Sequence, residues 1–139
     1  MTLREIQARI VAILQGTAAL ADLTILAEDR KDLITAISSS LAKLGLCAIV
    51  QTISAKVTKP NLPGPVYGEL RFSVVVYENV MINRSKFDRT AQDVAELISE
   101  ALHQQRIGED GTGKQLLSEG VLPQDGSEYN VFAVDLTLN

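Results

Sequence analysis

The chain carries one cysteine, Cys47, and one histidine, His103. A lone cysteine inside an apolar run excludes a disulfide framework and a cysteine-based zinc site, and reads as a small buried hydrophobe rather than a reactive thiol. With one histidine, any metal site would have to be built from carboxylates; His103, beside Gln104 and Gln105 on a helix, reads as a surface residue. No Ser/His/Asp or Cys/His arrangement can be argued from one His and one Cys so far apart in sequence. A basic excess is also missing: 13 Lys and Arg stand against 17 Asp and Glu, for a formal charge of -4. Such a chain has no long-range attraction to a polyanion, so no direct nucleic-acid partner is expected. Long apolar runs are absent too. The run at residues 10–14 is short, Glu5 and Arg9 interrupt the stretch before it, and nothing approaches the roughly 20 residues of a spanning helix. The expectation is a soluble, cytoplasmic protein without signal peptide or membrane partner, in which Asn83-Arg84-Ser85 is a glycosylation pattern without a compartment.

What is present suffices for a core. With 139 residues and 46% apolar content, the chain fits one globular domain over residues 1–139. Thr2 and Glu5 form a capping-box pattern ahead of Leu3, Ile6, Ile10, Ile13 and Leu14, which recur at helical spacing up to Gly16. Residues 23–27 form a short candidate strand. A second helix follows, with Asp29 or Asp32 able to accept its free amide hydrogens, a stripe of Leu33, Ile34, Ile37, Leu41 and Leu44, and a stop at Gly45.

From Cys47 to Val57 the pattern alternates, with Cys47, Ile49, Ile53, Ala55 and Val57 on one face and Gln51 as the exception. Residues 59–69 hold three of the four prolines and mark a projecting connection. Leu70, Phe72, Val74 and Val76 then alternate with Arg71, Ser73 and Tyr77, so the two strands predict a long β-hairpin. Thr90 with Asp93 opens a third helix whose stripe is Ala91, Val94, Leu97, Ile98, Ala101 and Leu102, running to about Gln105. Residues 106–127 read as a long loop, and Phe132, Val134, Leu136 and Leu138 as a last strand. The order α-(β)-α-β-β-α-β predicts an α+β fold, a mainly antiparallel sheet with helices packed on one face.

The segment GEDGTGKQ, residues 108–115, has the spacing G-x-x-x-x-G-K but places Gln115 where a nucleotide-binding loop has Ser or Thr. A phosphate cradle needs a strand before it and a helix after it, and here a helix precedes the motif and a loop is expected to follow. Glu109 and Asp110 would repel the ligand, so the segment reads as a glycine-rich loop and no cofactor is expected. Glu96 and Glu100, one helical turn apart, lie off the apolar stripe and read as a solvated face. The connection Glu78-Asn79-x-x-Ile82-Asn83-Arg84 has two readings. It is either a specific strand-to-helix joint, since Asn tolerates left-handed backbone, or a contact surface on which Arg84 pairs with a neighbour's carboxylate.

The strand running into VVVYENVMINRS (residues 74–85), the helix TAQDVAELISEALHQ (90–104), the N-terminal helix and the proline-bearing hairpin resemble, as a pattern over most of the chain, the tail-terminator and tail-completion proteins of tailed bacteriophages and prophages. The resemblance implies a structural protein without catalysis, forming a homo-oligomeric ring, typically of six, that caps the tail tube and meets tube or neck proteins, cytoplasmic during assembly and then in the virion tail. Carried onto this sequence, the assembly surfaces would be the loops at residues 61–68 and 108–124, with Asn61, Tyr67, Glu78, Asn79, Asn83, Arg84 and Lys114 as interface candidates. The competing reading is a small-molecule or peptide-binding α+β domain, a degenerate enzyme with a pocket between sheet and helices lined by Tyr77 and His103.

Overall fold

Thr2 starts the first helix, α1 (Leu3–Gln15), with a closed capping box: its hydroxyl accepts from Glu5 N at 3.1 Å, and the Glu5 carboxylate accepts from Thr2 N at 2.9 Å. Two of the amides that a helix start leaves without partners are thereby satisfied. The computed structural model describes residues 2–57, 67–86, 89–108, 113–125 and 128–138, with the backbone alone for residues 56, 57, 67, 68 and 84–86. After α1 and a short 3-10 turn (Ala18–Leu20) come β1 (Thr24–Ala27), α2 (Leu33–Lys43), β2 (Leu46–Val50), β3 (Ser54–Val57) and β4 (Tyr67–Glu78). Then follow α3 (Val80–Lys86), α4 (Ala91–Leu102), β5 (Leu116–Gln124) and β6 (Asn130–Leu138).

The strands form one sheet in the order β1-β2-β4-β6-β5, and β3 pairs with the first half of β4 while β2 pairs with the second. Among the described strands, β1 and β2 alone run parallel, linked through α2; the remaining pairs are antiparallel. The fold is α+β, with the long hairpin read from the sequence. Its first arm is broken at residues 51–53, however, and this break changes which face the side chains meet. Cys47 and Ile49 pack under α2 with Leu26 and Leu41, whereas Ile53 and Ala55 belong to the main core on the other face. The common face expected for these four residues is therefore corrected: three residues outside the ladder reset a period-2 pattern.

The main core joins Ile6, Ile10 and Leu14 of α1 and Val94, Ile98 and Leu102 of α4 to Leu70, Phe72, Val74 and Val76 of β4 and Val134, Leu136 and Leu138 of β6. Each such side chain, taken out of water, contributes about 1.5–3 kcal/mol before chain entropy is subtracted. The sequence reading put all helices on one face. Instead α2 covers the opposite face at the β1–β2 end, which is why every residue of β2 is buried. Ile34, expected in the α2 stripe, is instead 80% exposed; Leu33 and Ile37 pack as expected, joined by Ala36. Asp32 stands at the N-cap without a side-chain cap bond, because its carboxylate is paired with Arg30; Asp29 is paired with Arg4 at 3.1 Å. The expected loop over residues 106–127 contains β5, and residues 80–86, within the connection after β4, form the short helix α3.

Cys47 is fully buried, and that burial pushes its thiol from 9.0 up to about 11, against a smaller opposing effect of a Ser40 hydrogen bond. An acid whose pKa is raised by folding contributes stability that is intact below the unfolded value and lost as pH rises through the folded one. Stability is therefore expected to fall by about 2–3 kcal/mol between pH 9 and pH 11 on account of this thiol. Urea denaturation across that window checks it: the Cys47→Ala variant should lose the corresponding part of the slope, and an unchanged slope would refute the assignment.

Candidate assembly surface

Glu78 ends β4 on the main-core face and is only 1% exposed. Its Oε1 accepts from Ala91 N at 3.2 Å, at the start of α4, and its Oε2 accepts from Asn83 Nδ2 at 2.5 Å. A carboxylate at a helix N-terminus is held by the unpaired amides and by the positive dipole end. Asn83 Nδ2 also donates to Arg89 O at 2.6 Å, so both of its hydrogens are used; among the described residues Asn83 Oδ1 has no partner. Thr90 and Asp93 close the second capping box beside them. Below lies Gly45, at φ +79, whose carbonyl accepts from Asn79 N at 2.8 Å.

Glu78 and Asn83 form the internal joint, while the contact reading rests on the Arg84 side chain, which lies outside the described residues. Glu78 and Asn83, also candidates for a contact surface, are buried and bonded within the subunit, so their place at an interface is corrected. Asn79 is half-buried and Lys114 exposed. Asn61 and the side chains of Tyr67 and Arg84 lie outside the described residues. Sequence reasoning missed Arg89, which donates to Ala19 O at 2.7 Å and pairs with Asp22. These partners lie 70 and 67 positions away, and no local pattern signals them.

Residues 109–112 of GEDGTGKQ lie outside the described residues, but their flanks are informative. Ile107 N donates to Lys114 O at 3.0 Å, Arg106 bridges Gln115 antiparallel, and the Arg106 guanidinium donates to Gly113 O at 2.8 Å. The segment joins two arms of a short ladder, and β5 follows it. The helix N-terminus that a phosphate cradle requires is not at this position.

The sheet's second face is covered unevenly. Beyond α2, among the described residues, no helix core reaches the part made by β4, β6 and β5. A groove of about 440 Å³ opens there, lined by Glu69, Arg71, Ser73, Glu119, Asp135 and Thr137 among others. Most of these groups are mutually bonded: Ser73 Oγ donates to Asp135 Oδ1 at 2.6 Å, Thr137 Oγ1 to Glu119 Oε1 at 3.0 Å, and Arg71 pairs with Glu69. Farther along the strands Val75, Val131 and Ala133 make a small apolar patch against Tyr77 and Tyr129. Leu122 lies across from Ala133 and is 50% exposed.

Tyr77 thus belongs to this second face, and His103 sits at the end of α4 against β5. A pocket lined by both does not form. Among the described residues no three His, Cys, Asp or Glu side chains are grouped as metal ligands, and no helix is long and apolar enough to cross a membrane. No protein-family model matches the chain, and no curated protein is significantly similar to it in sequence.

Proposed function

We propose that the chain is a structural assembly subunit of a phage or prophage tail, of terminator or completion type, which joins copies of itself into a ring at the tail end or neck without catalysis. The observation that carries this reading is the uneven cover of the sheet: one face is sealed by α1 and α4, while the other is left to a polar groove and an apolar patch beyond α2. Apolar centres with polar margins are the usual anatomy of subunit contacts. The resemblance to tail proteins, carried by residues 74–85 and 90–104 with the N-terminal helix and the proline-bearing hairpin, supplies the role, and a ring of six is the size it implies.

Light scattering over a concentration series, with salt and magnesium varied, tests the proposal. A discrete species of roughly six times the 15.1 kDa subunit mass is expected. Leu122→Glu, which sets a charge at the margin of the apolar patch, should return the mass toward the monomer. A species at 15.1 kDa under every condition would count against a self-closing ring. The groove also favours a second reading, a small-molecule or peptide-binding domain, but a ligand there would have to displace bonds that its wall residues already make to one another.

A further inference from the structure

The end of α4 is fastened to the sheet edge by a side chain. β5 is the outermost strand on its side, and the chain leaving α4 runs back along its open edge. Gln104, at φ 67, makes the turn. Gln104 N then donates to Leu116 O and Leu116 N to Gln105 O, both at 2.7 Å. The next outward donor, two residues on, is Ser118 N, and its acceptor is not backbone but His103 Nδ1, at 3.0 Å. Beyond it the strand shifts register between Ser118 and Gly120 and reaches Pro123, which has no N–H to offer. The imidazole therefore stands where another strand would supply its next rung, and so helps to blunt an edge open to pairing.

Acceptance at Nδ1 requires a lone pair there, which places the ring proton on Nε2. An imidazolium carries hydrogen on both nitrogens and can accept from neither. Glu100 from α4 lines the same shallow hollow as the ring, with Ser99 and Ser118; Glu119 from β5 also lines it, but its carboxylate is held by Thr137 Oγ1 in the groove of the second face. Arg106, on the returning segment, is held to Gly113 O.

We propose that His103 is a proton-operated latch on the β5 edge: the neutral ring holds Ser118 N–H, and protonation releases it. The latch is independent of the ring reading and holds for a monomer as well.

NMR of the ¹⁵N-labelled protein between pH 8 and pH 5, the range over which histidines change charge, tests it. A through-hydrogen-bond coupling between the Ser118 amide nitrogen and His103 Nδ1 is expected at pH 8. It should vanish in step with protonation of the ring, while the Leu116 amide, bonded to Gln105 O, stays unchanged. Exchange protection at Ser118 should drop about ten-fold, as for one lost net hydrogen bond. In His103→Asn, whose side-chain oxygen accepts at any pH, that protection should not vary with pH. A Ser118 amide shift that ignores the ring's titration, or a ring protonated at Nδ1 at pH 8, would overturn the proposal.

Discussion

Gly45→Ala is expected to destabilise the fold by about 3–5 kcal/mol, a large part of the 5–15 kcal/mol that holds a typical domain together. Two effects add. The residue sits at φ +79, where a side chain meets its own carbonyl at a cost of roughly 1–2 kcal/mol. The new Cβ would also lie 2.4 Å from Asn83 N and 2.7 Å from Asn83 Cα, and these are backbone atoms of α3 that no rotamer change can move aside. Displacing α3 strains the Glu78–Asn83 bond as well, so the overpacking cost belongs at the upper end of about 1–3 kcal/mol or beyond. Denaturant unfolding measures it directly, and a midpoint within error of the parent would mean that α3 does not approach Gly45 as described.

Glu78→Gln, nearly isosteric, is expected to cost about 2–3 kcal/mol and to recover little of what Glu78→Ala loses. The two carboxylate oxygens accept from different donors, Ala91 N and Asn83 Nδ2. A Gln oxygen can serve one of them, but its NH₂ must then face the other donor at a buried site. Asn83→Asp tests the same pair from the other side, since two buried carboxylates would face each other. That variant should be badly destabilised at neutral pH and partly restored by acid, where one carboxyl carries a proton and donates to the other. Equal stability of Glu78→Gln and the parent in thermal melts would show that the joint does not depend on acceptor geometry.

The parts of this fold that were legible in the sequence are those whose signals are local. Both capping boxes, Thr2 with Glu5 and Thr90 with Asp93, close as their spacing indicates, and the alternation of Leu70 to Val76 and of Phe132 to Leu138 gives β4 and β6 with the correct inward faces. β5 was illegible for a physical reason. The bulge between Ser118 and Gly120 shifts the inward set from Leu116 to Val121, so period-2 counting fails, and Gly120 and Pro123 look like loop punctuation although an edge strand accepts both. The placement of α2 was illegible because an apolar stripe shows that a helix packs on a sheet but not on which face, and β2, buried along its whole length, gives no polar face to exclude. The Glu78–Asn83 joint was visible as a motif, but not its direction: burial of a carboxylate depends on the start of α4, 13 residues away.

The placement of β6 has a further consequence for how the molecule is made. β6 lies between β4 and β5, yet it is the last strand in chain order. Until a ribosome has delivered residues as far as 138, β4 waits with one long flank unpaired, and β5 can pair only at its start, with the short segment that leaves α4. The nascent chain therefore carries a twelve-residue strand rich in valine with one edge exposed, and that edge closes only when β5 and β6 arrive together as a hairpin. Translation that stalls before residue 130 leaves exposed the flank of β4 that β6 would cover, an edge of the kind that invites aggregation.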